Sequence, residues 1–155
     1  MPEKETLRRA KADKRAGKSP TTQAGEFVRE EIHHVREGKH GARSAKQAIA
    51  IGLSKARRAG VDLPSPPASA SDSTKRSAKS ARRRASSRKR PSTKRARASE
   101  RRLKREPRST ASRQALSRQA KTSARRRSQR SRSAAARKAA RTRKRTQRQR
   151  VGRAD

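Results

Sequence analysis

The stretch SAKQAIAIGLSKARRAG, residues 44–60, decides the fold, because its apolar side chains outnumber its charged ones in a chain that is otherwise dominated by charge. Its apolar positions recur every three or four residues, which places them on one face of an α-helix. That stripe consists of Ala45, Ile49, Leu53 and Ala56. A helix with one apolar face has to bury it against a partner, so the stretch predicts a packed helical region.

The two ends of this helix are marked by the sequence. Ser44 and Gln47 have the S-x-x-Q spacing of a capping box, in which each side chain satisfies a backbone N–H of the first turn. Arg57 and Arg58 fall in the last turn, where the helix dipole favours cations. Gly60 follows as a C-terminal stop.

The partner helix lies directly upstream. Ser19 and Pro20 predict its start, with serine as the cap and proline at the first helical position, and Gly38 predicts its end. Its apolar face comprises Ala24, Val28, Ile32 and Val35, with Phe27 beside them. The linker GKHGAR, residues 38–43, is short enough to fold the two helices into a hairpin.

We expect Gly52 to allow the two helices to approach closely. The predicted hairpin core is Phe27, Val28, Ile32, Val35, Ile49, Leu53 and Ala56. This core is small, so the hairpin is expected to be marginal alone. Ile51 points away from the main face, where a second chain could contact it, so we expect the hairpin to form a homodimer or to be stabilised on binding. Residues 3–16 predict a weaker third helix that ends at Gly17.

The remainder of the chain is a polycation. The 155 residues carry 49 Lys and Arg against 12 Asp and Glu, a formal net charge of +37. Residues 64–155 contain 34 of these basic residues, 4 acidic ones, and three large apolar residues, namely Leu103, Leu116 and Val151. So few apolar groups do not offset a backbone ordering cost of roughly 1 to 2 kcal/mol per residue, and the composition is typical of disorder.

These observations predict an all-α fold: a small hairpin of two short helices, three with the N-terminal one, followed by a long intrinsically disordered basic tail. The segments expected are a charged lead over 1–19, the hairpin domain over 20–63, a Pro/Ser-rich hinge over 64–74, and a tail over 75–155 rich in Arg, Ala and Ser. Residues 112–150 lack Gly and Pro, so the tail is expected to become helical on DNA once its charges are neutralised.

The hairpin resembles a known family. The segment TQAGEFVREEIHHVREGKHGARSAKQAIAIGLSKARRAGV, residues 22–61, with the lead PEKETLRRAKADKRAGKSP, residues 2–20, is similar to a small bacterial domain of unknown function whose members often carry the name DNA-binding protein. The tail resembles the histone H1-like proteins of bacterial nucleoids in composition, although it favours Arg over Lys by 26 to 8. The resemblance implies a bacterial DNA-binding protein.

A strongly positive chain calls for a polyanionic partner. We expect non-sequence-specific binding and compaction of duplex DNA by a cytoplasmic, nucleoid-associated, histone-like protein. The residues predicted to bind nucleic acid are Arg82, Arg83, Arg84, Arg88, Lys89, Arg90, Lys94, Arg95, Arg101, Arg102, Arg125, Arg126, Arg127, Arg130, Arg137, Lys138, Arg141, Arg143, Lys144 and Arg145.

Three alternatives stay open at this point. Phosphate attraction alone does not separate DNA from RNA, so the chain is also compatible with an RNA-binding or ribosome-associated protein. A second alternative is a protein-interaction module that the basic tail localises. A third is that the hairpin reads a DNA groove through Lys46, Gln47, Lys55, Arg57 and Arg58.

The sequence predicts neither an enzyme nor a cofactor. His33, His34 and His40 lie near Glu30, Glu31 and Glu37, but they match no established metal-binding spacing, so no metal site is predicted. No cysteine is present, which excludes disulfides and thiolate metal sites. No apolar run approaches the roughly 20 residues of a membrane span, and the start of the chain lacks the apolar segment of a signal peptide.

Overall fold

The fold is known from a computed structural model that describes residues 2–87, 92–127 and 129–151, apart from the side chains of residues 130 and 145–151. The described residues form seven α-helices and one short 3₁₀ helix. The α-helices are α1 (Lys4–Arg15), α2 (Pro20–Glu37), α3 (Ala45–Arg58), α4 (Asp72–Arg83), α5 (Thr93–Lys104), α6 (Arg113–Arg125) and α7 (Gln129–Val151). The 3₁₀ helix, Ser109–Ala111, lies between α5 and α6. The chain divides into two compact units, Met1–Leu116 and Ser117–Asp155.

The predicted ends of the first three helices are confirmed. The Ser44 hydroxyl accepts a hydrogen bond from the Gln47 amide at 3.1 Å, while the Gln47 side chain reaches back to the Arg43 amide at 2.6 Å. Glycine ends each helix with a positive φ, and these residues are Gly17, Gly38 and Gly60, with φ of 66°, 79° and 85°. Local capping chemistry therefore sets the boundaries of α2 and α3 and the C-terminal end of α1.

Helices α2 and α3 pack against each other, and α1 packs on α2. The prediction for Gly52 is confirmed, because a Cβ atom at this position would lie 2.7 Å from the Val28 Cα. One buried cluster consists of Ala10, Ala24, Phe27, Ala56 and Leu63, and a second consists of Val35, Ala42, Ala48 and Ala111. Small side chains thus fill much of a core in which the helix backbones lie close together.

The predicted core residues divide into two groups. Phe27, Val35 and Ala56 are completely buried. The half-buried ones are Val28, Ile32, Ile49 and Leu53. Ala10, Ala42, Ala48 and Ala111, which the predicted core left out, are also buried.

The prediction of a hairpin with an intrinsically disordered tail is wrong. Residues beyond the Pro/Ser-rich segment form four further α-helices, and the intervening residues 88–91 and 128 lie outside the described ranges. Arg, Ala, Lys and Gln favour helix strongly, and serine hydroxyls cap two of these helices, with Ser71 accepting from the Thr74 amide and Ser112 from the Ala115 amide. The prediction gave too much weight to repulsion between like charges along the helix, which is worth only about 0.2 to 0.5 kcal/mol per pair.

The segment 103–111 docks on the loop between α2 and α3, which the two-helix prediction also missed. The Gly41 amide donates to the Leu103 carbonyl at 2.8 Å, and the Ala42 amide donates to the Pro107 carbonyl at 3.1 Å. The Arg36 side chain donates to the Ala111 carbonyl at 2.8 Å, and the Arg108 side chain donates to the Arg36 carbonyl at 3.0 Å. The Thr110 hydroxyl donates to the Ala42 carbonyl at 2.9 Å. Each of these five hydrogen bonds has a backbone carbonyl as its acceptor, and the buried apolar contact is the small Ala111, so docking carries no large-apolar signal in the sequence.

Helix α4 packs on α3 across the Pro/Ser-rich segment. Ala81 of α4 and Leu63 are buried, and Arg82 forms an ion pair with Asp62. None of the helices in the described ranges is long and apolar enough to cross a membrane.

A buried charge cluster lies between α2 and α3 and comprises Glu30, Glu31, His34, His40 and Lys55. The Lys55 ammonium lies 2.7 Å from one oxygen of Glu31 and 3.1 Å from one oxygen of Glu30. Burial opposes the charge on Lys55, but the contacts with Glu31 and Glu30 outweigh burial and raise the pKa of Lys55 above 10.5. Burial likewise opposes the charge on Glu30, but hydrogen bonds from Thr6 and Lys55 outweigh it and lower the pKa of Glu30 below 4.5.

Candidate nucleic-acid interface

The packing of α3 against α4 gathers basic side chains from two separate parts of the sequence. Arg57 and Arg58 end α3, and Arg82 and Arg84 lie at the end of α4; we call these four the junction arginines. Burial first, and then the positive charge of Arg82, lowers the pKa of Arg57. Burial and the charge of Arg84 do the same for Arg58. The ends of α3 and α4 therefore concentrate positive charge, and a bound polyanion would reduce the repulsion between these arginines.

A shallow cleft extends this positive surface along α4. Lys75 and Lys79 line the cleft together with Arg57 and Arg82, and Leu63 and two prolines form its apolar floor. Asp72, at the start of α4, approaches Lys75 at 3.5 Å, but both side chains are well exposed, so this pair neutralises little of the charge.

Helix α5 presents basic residues without burying any of its side chains. Lys94 and Arg95 in its first half and Arg101 and Arg102 in its second half are all exposed. Its Glu100 forms an ion pair with Lys104 at 3.0 Å, one turn away. The Gly41 amide donates a hydrogen bond to the Leu103 carbonyl, which anchors the C-terminal end of the helix. The exposed basic residues of α5 therefore lie on a helix with one fixed end.

In the second unit, helix α7 carries its cations on a defined face. At about 100° per residue, Arg137, Lys138, Arg141 and Lys144 fall within a sector of about 120°, which we call the α7 basic face. Arg132 and Arg143 are exposed basic residues on the opposite side of the helix. No acidic residue occurs between Glu106 and Asp155, so α6 and α7 contain no carboxylate that would neutralise this charge.

The structure places the predicted binding residues as follows. The exposed ones are Arg82, Arg83, Arg84, Lys94, Arg95, Arg101, Arg102, Arg125, Arg126, Arg127, Arg137, Lys138, Arg141, Arg143 and Lys144. Arg88, Lys89 and Arg90 lie outside the described residues, and Arg130 and Arg145 belong to α7 with side chains outside the description. The set is spread over several helices and both units, so it forms several basic surfaces rather than one flexible chain.

The structure places the hairpin residues that were proposed to read a DNA groove in different environments. Lys46 is exposed, whereas the side chain of Lys55 is 17% exposed and contacts two carboxylates in the buried charge cluster. Lys55 therefore stabilises the contact between α2 and α3 and is not available to DNA. Arg57 and Arg58 instead meet α4, a grouping that depends on tertiary packing and has no signal in the local sequence.

Comparison with known proteins gives one match. Residues 11–66 match the model of a Family of unknown function (DUF6496), a range that includes α2, α3 and the last five residues of α1 and ends before α4. No curated protein and no solved structure matches the chain. The match agrees with the resemblance to a domain of unknown function, and it supports neither the name DNA-binding protein nor the comparison of the tail with histone H1. Residues 11–66 are thus similar to a family whose function is unknown, and the basic helices beyond them lie outside the matched region.

Proposed function

We propose that this protein binds duplex DNA without sequence preference and compacts it in the nucleoid of a bacterial cytoplasm. The observation that carries the proposal is a net charge of +37 displayed largely as exposed Arg and Lys on α4, α5, α6 and α7. Neutralising phosphates releases condensed counterions, and this release supplies most of the free energy of non-specific binding. Arginine, the prevailing cation here, adds a planar fork that binds phosphate with two hydrogen bonds.

The dimensions of α7 fit partial coverage of DNA. Its 23 residues span about 34 Å at roughly 1.5 Å each, a length over which duplex DNA carries about 20 phosphates. The helix contains 10 Lys and Arg, so one helix neutralises about half of the charge that it spans. Many chains are then required to coat a length of duplex, which favours compaction over recognition of a single site.

The aromatic content favours a duplex over single-stranded RNA. Proteins that recognise unpaired bases stack them on aromatic side chains. Phe27 is the sole aromatic residue among Phe, Trp and Tyr, and it is completely buried in the core. The exposed surface of this chain therefore offers phosphate-binding groups without a stacking platform.

A competition experiment tests the proposal. The full chain is bound to a fluorescent duplex at physiological salt, and unlabelled duplexes of different sequence, a structured RNA and heparin are compared as competitors. We expect all duplexes to compete equally, with a slope of log K against log salt of about −0.9 per phosphate contacted.

Each open alternative has its own outcome. A structured RNA that competes at about tenfold lower concentration, equivalent to 1.4 kcal/mol, would favour an RNA-binding or ribosome-associated protein. Duplex binding weaker than about 10⁻⁴ M would favour a protein-interaction module that the basic helices localise. Homodimerisation of the hairpin, expected from the outward position of Ile51, is measured on the same sample by light scattering.

Substitutions on α7 test whether one face of the helix contacts phosphate. We expect the double variant Arg137→Gln, Arg141→Gln to lower duplex affinity by about eightfold per lost contact at 0.1 M salt, and to reduce the salt slope by about 1.8. The matched control is Arg132→Gln, Arg143→Gln, which removes the same charge from the opposite side of the same helix. Glutamine and arginine have similar helix propensities, so neither variant changes the helix itself. Equal losses in both variants would contradict a defined binding face and leave only diffuse attraction.

A further inference from the structure

Three side chains with metal-ligating atoms meet within the buried charge cluster. Glu31, His34 and His40 each offer one ligand atom, and these atoms lie within 4.8 Å of one another. Glu31 and His34 are three residues apart on α2, so they share a face of the helix in the Glu-x-x-His arrangement of carboxylate metal sites. His40 arrives from the loop after α2. The three groups come from two elements that the fold holds together.

Glu31 is the least satisfied of the three residues. It is completely buried, and neither of its carboxylate oxygens receives a hydrogen bond of acceptable geometry. Lys55 lies 2.7 Å from Oε2 and His40 Nε2 lies 3.2 Å from Oε1, so the carboxylate has cationic or polar neighbours but no well-directed donor. Because Lys55 already neutralises the side of Glu31 at Oε2, Oε1 is the oxygen that a further cation would stabilise.

The hydrogen bonds of the two histidines leave lone pairs available for a cation. His40 Nδ1 lies 3.0 Å from the Gly41 carbonyl, an acceptor, so Nδ1 donates this bond and Nε2 is the ring nitrogen left to bind a cation. His40 Nε2 lies 3.2 Å from Glu31 Oε1, so a cation bound there would contact both atoms. His34 Nε2 lies 2.8 Å from a carboxylate oxygen of Glu3, which fixes its proton on Nε2 in the same way. A backbone carbonyl and a carboxylate are the partners that usually hold metal-binding histidines in place.

The charge balance also favours an additional cation. Glu30 and Glu31 bring two negative charges into the cluster, and Lys55 brings one positive charge. Without the histidines, these three side chains carry a net charge of −1, in a protein whose total is +37. Lys55 contacts Oε2 of Glu31, whereas His40 lies beside Oε1. Oε1 is therefore the oxygen available to a metal ion.

We infer that Glu31, His34 and His40 form a binding site for a divalent transition-metal cation, with Zn²⁺ the best fit. Two imidazoles and one carboxylate are an established zinc ligand set, and a water molecule fills the fourth tetrahedral position. Bonds of about 2.1 Å require ligand atoms about 3.4 Å apart. The Glu31 and His40 atoms already meet this separation, and the remaining edges have to shorten by at most about 1.4 Å, within reach of side-chain rotation by the half-buried His40.

The position of the site gives the metal a structural role. His40 lies next to Gly41, whose amide donates a hydrogen bond to the Leu103 carbonyl. A bound metal would therefore connect helix α2 to the loop on which segment 103–111 docks. All three ligands lie within residues 11–66, the region similar to the family of unknown function.

Calorimetric titration of the full chain with Zn²⁺ tests the inference. The protein is first treated with a chelator and then titrated slightly above neutral pH, where imidazoles are free to bind metal. We expect one Zn²⁺ per chain and a more than hundredfold loss of affinity in His40→Gln and in His34→Gln. His33→Gln is the matched control, because His33 is exposed next to His34 and pairs with Glu37 at 2.8 Å. It should bind Zn²⁺ like the unmodified protein.

Two results would overturn the inference. No binding to the unmodified chain would mean that Glu31, His34 and His40 make only the contacts seen within the protein itself. An equal loss in His33→Gln would mean that zinc binds surface histidines. Should the histidine variants fail to fold, Co²⁺ added to the unmodified chain still decides the question, because coordination by two imidazoles and a carboxylate gives the intense visible absorption of tetrahedral cobalt, and its absence would also overturn the inference.

Discussion

The substitution Gly41→Ala is expected to detach residues 103–111 from the loop between α2 and α3. A Cβ atom at position 41 would lie 1.7 Å from the Glu106 carbonyl oxygen and 2.4 Å from its carbon. Both atoms belong to the backbone, so no side-chain rotation relieves the overlap, and the two segments have to separate by more than 1 Å. Five hydrogen bonds span this contact, each worth about 0.5 to 1.5 kcal/mol, so docking should weaken by about 3 to 7 kcal/mol.

Hydrogen exchange measures this loss directly, because the amides of residues 41 and 42 donate to the docked segment and become accessible when it leaves. Gly25→Ala is the control. A Cβ at Gly25 meets nothing within 4 Å, and the residue lies inside α2, where alanine favours helix by about 0.5 to 1 kcal/mol. Protection of Ala42 that is unchanged in Gly41→Ala would show that the segment does not depend on this close approach.

The contrast between Gly38 and Gly41 shows which parts of the fold the sequence could reveal. Gly38 ends a periodic helix, and its role follows from residues within one turn of it. Gly41 matters because of a backbone 65 positions away, and nothing near it in the sequence predicts that neighbour. Local signals therefore predicted α1, α2 and α3, whereas contacts made through backbone groups and alanines produced a larger helical unit than composition suggested.

The candidate interface divides in a similar way. Exposure of the arginines in α5 and α7 follows from composition, because neither helix has large apolar residues to bury apart from Leu103 and Val151. The junction arginines required the packing of α4 on α3, which depends on Ala81 and on the Arg82–Asp62 ion pair. The sequence also did not reveal that Lys55 lies in the interior. Its place on an amphipathic helix suggested exposure, but the two glutamates of α2 attract it into the interior.

Lys55→Met is expected to lower the free energy of unfolding by about 3 to 5 kcal/mol, the usual cost of removing one partner from a buried ion pair. Methionine retains most of the aliphatic volume, so the loss comes from leaving Glu30 and Glu31, whose side chains are 3% and 1% exposed, without their ammonium. Chemical denaturation in the presence of a chelator gives the measurement for the metal-free protein. Lys46→Met, an exposed position on the same helix, is the control and should change stability by less than about 0.5 kcal/mol.

The pH dependence of this loss separates charge from packing. The pKa of Glu30 is lowered in the folded protein, so its stabilising contribution is present above pH 4.5 and is lost as the pH falls through the lowered pKa. The pKa of Lys55 is raised, so its contribution is present below pH 10.5 and is lost as the pH rises through the raised pKa. The difference between the unmodified protein and Lys55→Met should therefore be greatest between these values and shrink in acid, where the buried, unpaired carboxylates of the variant take up protons. A difference that is the same at pH 3 and pH 7 would assign the loss to packing, and the two glutamates would then not depend on Lys55 for their burial.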